Sequence, residues 1–414
     1  MLLRTQHPII CVLFCVLAPA VAKSTTGFRQ QIFNGKNLDG WHAIGCEAGV
    51  EENKLVLRSG NGTVRTDHRY SNFVLELKWR PLRETSWDSG IYIRCELPAA
   101  GQPWPERYQI NLLKGHEGNI VGVPAAQSKG LVKPGMWNQF RLTLIGKQAT
   151  LEINGQQAWQ VDAIESAAGY IAFQSEVDGG GQFEFKDIFV TELDHQTMFN
   201  GQDLSGWQGA GQDAKQCWKV DDGLLVCTGD KGPWLRSDKQ FKDFNLRFSY
   251  RLRDGGNSGV YVRVPEDGNH HGAGAGVEVQ ILDDHAERYR ELKPWQFCGS
   301  VSKIAPSKQK TGRAAGTWNT MDINCTGYHY QVRHNGFLIV NAKLDEFPEL
   351  EERRLQGFLG FQNHSEEVWF RDVRVGLPVS PCPPETAARR SQQSPNPVSD
   401  GREFATGSPL ARGA

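Results

Sequence analysis

Two short stretches in the second half of the chain hold side chains able to do chemistry. In "VEVQILDDH" (Val277 to His285), apolar residues alternate with Glu278 and Gln280, and Asp283, Asp284 and His285 follow. In "NSGVYVRV" (Asn257 to Val264), Tyr261 and Arg263 alternate with valines. Side chains two apart on a strand share a face. If the two strands are neighbours, Tyr261, Arg263, Glu278 and Gln280 line one polar surface. Asn257 and the Asp283-Asp284-His285 run then sit at strand ends, where loops carry functional groups. His364, in "GFQNHSEEVWFRDV", is a further proton-transfer group. A carboxylate or imidazole on such a surface can act as a general base. Read singly, each is an ordinary solvated residue, and Arg263 with Glu278 is an ordinary cross-strand pair.

The elements that must position these residues are written twice. "FNGKNLDGW" from Phe33 recurs as "FNGQDLSGW" from Phe199, and "SGIYIR" from Ser89 as "SGVYVR" from Ser258. "GMWNQF" from Gly135, "GYIAFQ" from Gly169 and "FKDI" from Phe185 answer "GTWNTM" from Gly316, "GFLGFQ" from Gly357 and "FRDV" from Phe370. Matches in the same order indicate a duplicated domain, with copies over residues 28–193 and 197–376. Alternating runs such as "NFVLELKWR" and "FNLRFSYRL" predict half-buried antiparallel strands. Asn154-Gly155 and Asn335-Gly336 predict hairpin turns. Many short strands with glycine-rich turns predict an all-β fold of two tandem jelly-roll sandwiches. One short helix is expected around Ala286 to Leu292.

Composition narrows the function. A formal net charge of -1 gives no basic footprint for nucleic acid. Arg4, the apolar run from Ile9 to Leu17 and Ala20-Val21-Ala22 read as a signal peptide over residues 1–22. The expected location is secreted or periplasmic, with no stable membrane insertion after cleavage. Cys217 and Cys227 flank the turn signal Asp222-Gly223, which makes a cross-hairpin disulfide an expectation. Residues 377–414, rich in Pro, Ser, Arg and Gly, are expected to be disordered, with Cys382 unpartnered. No CxxC or HExxH spacing marks a zinc site.

The ordered phrases "FNGxxLxGW", "NSGVYVR", an acid-x-Gln strand, "GTWN", "NG", "GFxGFQ" and "FRDV" resemble the 3-keto-disaccharide hydrolase family, also described as 3-keto-glucoside-1,2-lyase and 3-keto-2-hydroxyglucal hydratase. The resemblance covers both copies. It implies concanavalin A-like sandwiches and an exported carbohydrate-active protein. It also implies a reaction. A ketone at C3 acidifies the C2 hydrogen, a base removes it, the group at C1 leaves, and water adds to the glycal. On that reading Glu278 or His364 is the base, and Arg263 polarises the ketone. Asn257, Tyr261, Gln280, Asp283, Asp284 and His285 bind hydroxyls, and Trp295 stacks on a sugar ring. No metal ligands are assigned and no cofactor is certain, although a divalent metal could act as Lewis acid, helped by Asp283 and Asp284. A lectin-like protein using both grooves without catalysis is the alternative. A conventional glycosidase would need two facing carboxylates, and the sequence offers one convincing acid.

The first copy differs. Asp88 stands for Asn257, while Tyr92, Arg94 and Gln109 are read as kept, with Arg94 and Gln109 as substrate-binding residues. Arg107 is read in the place of Glu278, and Leu112-Leu113 in the place of the two aspartates. No histidine matches His364, although Glu176 is nearby. Catalysis is therefore expected in the second copy.

Overall fold

A computed structural model describes residues 27–128, 130–176 and 182–380. The signal segment, most of the tail and Cys382 lie outside the described residues. Within them the chain is all-β, its helical elements being four short 3-10 turns. The helix expected near Ala286 shortens to one such turn, Glu287–Tyr289, closed by the bond from Arg290 N to Glu287 O.

The second copy is two antiparallel sheets. Eight strands form one, in the order Trp218–Asp221, Leu224–Cys227, Val368–Gly376, Phe244–Leu252, Trp318–Thr326, His329–His334 and Phe337–Ala342, with His195–Thr197 joined to Val368–Gly376. Five form the other, in the order Trp207–Gly209, Leu235–Phe241, Gly357–Phe361, Asn257–Val264 and Val277–Leu282. Phe361 from the smaller sheet stacks on Phe370 of the larger at 4.1 Å and meets Phe248 edge-on at 5.3 Å. Each fully buried ring of this kind contributes roughly 1.5–3 kcal/mol of transfer free energy. The first copy repeats the contact, with Phe173 stacked on Phe185 at 4.2 Å.

The copies differ in how their layers are joined. In the first, the long strand Lys54–Thr66 pairs with Phe183–Glu192 through Leu55 to Leu57 and with Tyr170–Ser175 through Gly62 to Arg65. One strand thus threads both layers, and the sheet is continuous. In the second copy the matching strand is broken into Leu224–Cys227 and Leu235–Phe241, and the layers are separate sheets. The hairpins form where the sequence places them. Asn154 and Gly155 have φ of 52° and 82°, and Asn335 and Gly336 have 49° and 79°, the double positive φ that two-residue turns need.

The expected Cys217–Cys227 disulfide is absent. Cys227 lies opposite Trp218 in the hairpin, one residue out of register with Cys217. The two thiols approach separate acceptors, Pro233 O at 3.3 Å and Asn363 Oδ1 at 3.4 Å. The start of the tail is held rather than loose, since Val379 N donates to Asn324 Oδ1 at 2.8 Å.

A buried charge cluster joins the copies. Glu192, at the end of the first copy's last long strand, accepts from Arg247 Nη1 at 2.5 Å and Arg374 Nε at 2.6 Å. Arg247 also reaches Asp322 at 2.9 Å and the carbonyl of Arg69 at 2.5 Å. Burial alone would raise Glu192, but the arginines hold it well below the usual carboxylate range. A second contact sets Asp67 of the first copy against Thr320 and Arg313 of the second.

Candidate functional site

The cleft lies on the outer face of the five-stranded sheet and occupies about 360 Å³. Glu278, Gln280 and Asn257 line it from the adjacent strands, Gln362 and His364 from the turn after Gly357–Phe361, and His270 and His271 from the loop before Val277. Tyr289, Leu292, Trp295 and Gln296 wall the far side. Strand register explains the grouping. Asn257–Val264 pairs with Val277–Leu282 so that Tyr261 faces Glu278 and Gly259 faces Gln280. The Glu278 carboxyl lies across Gly259. A Cβ at that glycine would stand 2.3 Å from Glu278 Oε1, so only glycine leaves the acid its place.

Glu278 is 6% exposed. Burial pushes its pKa up to about 7, against a smaller opposing effect of Lys303. Its carboxyl faces His270, with Nε2 and Oε2 3.4 Å apart. The His270 ring stacks on Tyr261 at 4.8 Å. Amides chain around the rest of the cleft: Gln280 Nε2 donates to Asn257 Oδ1 at 2.8 Å, Asn257 Nδ2 lies 3.5 Å from His364 Nε2, and Gln362 Nε2 donates to the Tyr261 hydroxyl at 3.2 Å. Burial raises the Tyr261 phenol to about 12, so it stays protonated with a hydrogen to give. A buried carboxylate among amide donors and acceptors, walled by Trp295 and Leu292, can remove a proton from a bound polyhydroxyl ring.

Of the residues expected here from sequence, Glu278, Gln280, Asn257, His364 and Trp295 are brought together, and Tyr261 borders them. Arg263 is not. A bulge follows Tyr261, the register against Gly357–Phe361 shifts, and Arg263 takes a φ of +54°. Strict alternation fails there, and the guanidinium turns inward. It is fully buried and donates to Lys242 O and Gly327 O, each at 2.6 Å, and to Asp243 at 3.1 Å. Arg94 does the same in the first copy, with a φ of +43° and bonds to Ser71 O, Gly146 O and Ser166 O. Both arginines fasten loops and touch no cleft. Asp283, Asp284 and His285 also face elsewhere. Asp283 accepts from Gly255 N, Asp284 from Cys298 N, and His285 Nε2 meets Gly312 O at 3.1 Å. Among the described residues no three His, Cys, Asp or Glu side chains are grouped to hold a metal ion, and the two aspartates do not open onto the cleft.

His270 and Gln362 also line the site; the sequence assigns Gln362 no role, and the His270-His271 pair reads there only as a weak metal signal. Gln362 was visible as the last letter of a repeated phrase. The strand register also fixes the comparison of the copies. Tyr92 faces Gln109 and Gly90 faces Asn111. Gln109, not Arg107, therefore stands where Glu278 does, and Asn111 matches Gln280. A Cβ at Gly90 would collide with Gln109 as one at Gly259 collides with Glu278. The intervals from Arg94 to Gln109 and from Arg263 to Glu278 are equal, which sets Gly101 and Gln102 opposite His270 and His271. Glu176 matches His364 on the same count from Gln174 and Gln362. Arg107 is exposed. The first copy's site is thus Gln109, bonded to Gln174 at 2.7 Å and Tyr92 at 3.3 Å, with Glu176 beyond at 3.1 Å from Gln174.

Known proteins resemble this chain in one consistent way. A 3-keto-disaccharide hydrolase of Bacteroides thetaiotaomicron is 26% identical over 223 residues, 43% of this chain and 77% of that protein. A solved structure from Parabacteroides distasonis, provisionally called a glycosyl hydrolase, covers 44% of this chain and 93% of its own at 22% identity, with a TM-score of 0.39. A carbohydrate-binding module from Bacillus subtilis covers 37% of this chain and 95% of its own at 11% identity and a TM-score of 0.30. The model of the 3-keto-alpha-glucoside-1,2-lyase-like domain matches twice, over residues 29–191 and 194–376. The chain accordingly belongs to the 3-keto-alpha-glucoside-1,2-lyase-like domain family, with two copies of that domain in tandem.

Proposed function

We propose that this protein is an exported enzyme that cleaves 3-keto-glycosides in the cleft of its second copy. The observation that carries this reading is Glu278, a buried carboxyl raised to about 7 that lines a cleft of amides. A ketone at C3 makes the C2 hydrogen acidic enough for such a base. Glu278 removes it, electron density moves to the C3 oxygen, and the C1 group departs. Hydration of the glycal completes a net hydrolysis. With Arg263 fastened elsewhere, the donors at hand for the C3 oxygen are the Tyr261 hydroxyl and the Asn257 and Gln362 amides. His364 and Gln280 bind hydroxyls, and Trp295 offers a ring face to the sugar. In the first copy, the amide of Gln109 at the base position favours carbohydrate binding without proton abstraction.

The test is aglycone release from a 3-keto-glucoside by the mature protein, by Glu278→Gln and by His364→Ala. The expectation is release by wild type, almost none by Glu278→Gln, and weakened binding in His364→Ala. No release by wild type from several 3-keto-glycosides would sink the reading.

A further inference from the structure

The tautomer of His270 carries the inference. His270 Nδ1 lies 3.1 Å from the carbonyl oxygen of Gly268. A carbonyl only accepts, so Nδ1 holds the hydrogen and a neutral imidazole presents a bare Nε2. That bare nitrogen faces Glu278 Oε2 at 3.4 Å. An ionised carboxylate and a bare imidazole nitrogen are both acceptors and repel at this distance. One proton between them removes the conflict, either on Oε2 or on Nε2. The His270 ring is also stacked on Tyr261, with centroids 4.8 Å apart.

We propose that Glu278 and His270 form a one-proton pair that serves as the base of the elimination, with His270 as the positioning residue that keeps Glu278 ionised. This rests on the reading of the second cleft as a 3-keto-glycoside site. In the working state the proton sits on His270 Nε2, and Glu278 is a carboxylate. Glu278 Oε1 takes the C2 proton as the C2–H electrons form the enolate. The C1–O bond then breaks, its electron pair leaves with the departing oxygen, and Glu278 returns the proton to that oxygen. The pair ends with the one proton it started with, so the elimination resets it without help from solvent.

Two observations support this. Burial raises Glu278 to about 7 and lowers His270 from the ordinary histidine range, which removes the usual preference of a proton for the imidazole over the carboxyl and lets the pair share it. The first copy also lacks both members, with Gln109 and Gly101 in their places. The other charged or titratable groups facing the pair are Lys303, Arg353, His271, the Tyr261 phenol and, across the cleft, His364. Lys303 and Arg353 oppose the imidazolium, and the Glu278 carboxylate 3.4 Å away is the charge that offsets them in the working state.

Two measurements on the full chain test the pair. The first is the pH dependence of kcat for wild type and His270→Gln. Without the imidazolium the Glu278 carboxylate loses its neighbouring positive charge, so the acid limb moves to higher pH than in wild type. At one pH unit below that shifted limb, about a tenth of the variant is active. Superimposable profiles would overturn the pair. The second needs no activity. Nitrogen-15 histidine NMR should show His270 with a protonated Nδ1 and an Nε2 whose titration midpoint falls in Glu278→Gln. An unchanged midpoint overturns the pair. If wild type releases no aglycone but the NMR coupling is present, the reaction is wrong and the pair stands.

Discussion

Replacing Glu278 by glutamine should make the protein more stable at alkaline pH while it removes the activity. The magnitude follows from the carboxyl's surroundings. In an unfolded chain this group ionises near 4.5, and in the folded protein near 7, because burial penalises its charge. Each factor of ten in an ionisation constant is about 1.4 kcal/mol, so the folded, ionised form bears a cost of roughly 3 kcal/mol. The sign is set by proton counts. Between pH 4.5 and 7 the folded protein keeps a proton that the unfolded chain has released. Stability from this group is therefore greatest below about 4.5, falls through the window, and is level above about 7. Glutamine keeps the shape and carries no such cost. Urea unfolding of wild type and Glu278→Gln at intervals from pH 4.5 to 8.5 should give curves that diverge by roughly 3 kcal/mol in favour of the variant. Activity should fall by about 10²–10⁴-fold, the usual worth of a positioned base. Parallel stability curves would show that Glu278 is not held out of water, and the reasoning about its basicity would fail with them.

Other substitutions probe the surroundings. Gly259→Ala sets a methyl group against the Glu278 carboxyl and should cut kcat by roughly 10²-fold through displacement of the base with an unchanged circular dichroism spectrum. Wild-type kinetics would contradict the close approach. Arg263→Met leaves the carbonyls of Lys242 and Gly327 without their donor and should cost about 2–4 kcal/mol in urea unfolding. The KM of the folded fraction should be unaffected, and a stable variant with a raised KM would return Arg263 to the cleft. Glu192→Gln strips the buried Arg247 and Arg374 of their counter-charge and should cost about 3–5 kcal/mol. An unfolding midpoint equal to wild type would show the cluster to be dispensable.

Much of this was legible in the letters. Repetition disclosed the two copies, period-two runs disclosed the strands, and the strand pair carrying Tyr261 and Glu278 was foreseen with its polar face. Arg263 was misread because a bulge breaks the alternation on which face assignment rests, and no composition signal marks it. The repeated arginine was itself a clue, since a residue kept in both copies beside a changed acid serves the scaffold. Asp283, Asp284 and His285 were misplaced because strand-end residues can turn to either side, and backbone N–H groups at Gly255 and Cys298 claim the aspartates. Pairing Arg107 with Glu278 put the first copy out of register by two residues, which preserves face and so gave no warning. The equal interval from the repeated arginine to Gln109 and to Glu278 decides between the two alignments, and the strand pairing agrees.

The broken strand of the second copy has a consequence for how the two copies diverged. Where the first copy continues its ladder from one layer to the other, the second has the turn Thr228 to Trp234. That turn is spent on the cleft. Asp230 and Gly232 offer carbonyls to Asn363 Nδ2 at 2.8 and 3.3 Å, beside His364, and Trp234 packs edge-on against Tyr261 at 5.0 Å. Backbone that serves as framework in one copy braces the wall of a cleft in the other. The unbroken copy is tied to its neighbour through Glu192, and the neighbour has a cleft-bracing turn where the first copy has a continuous ladder.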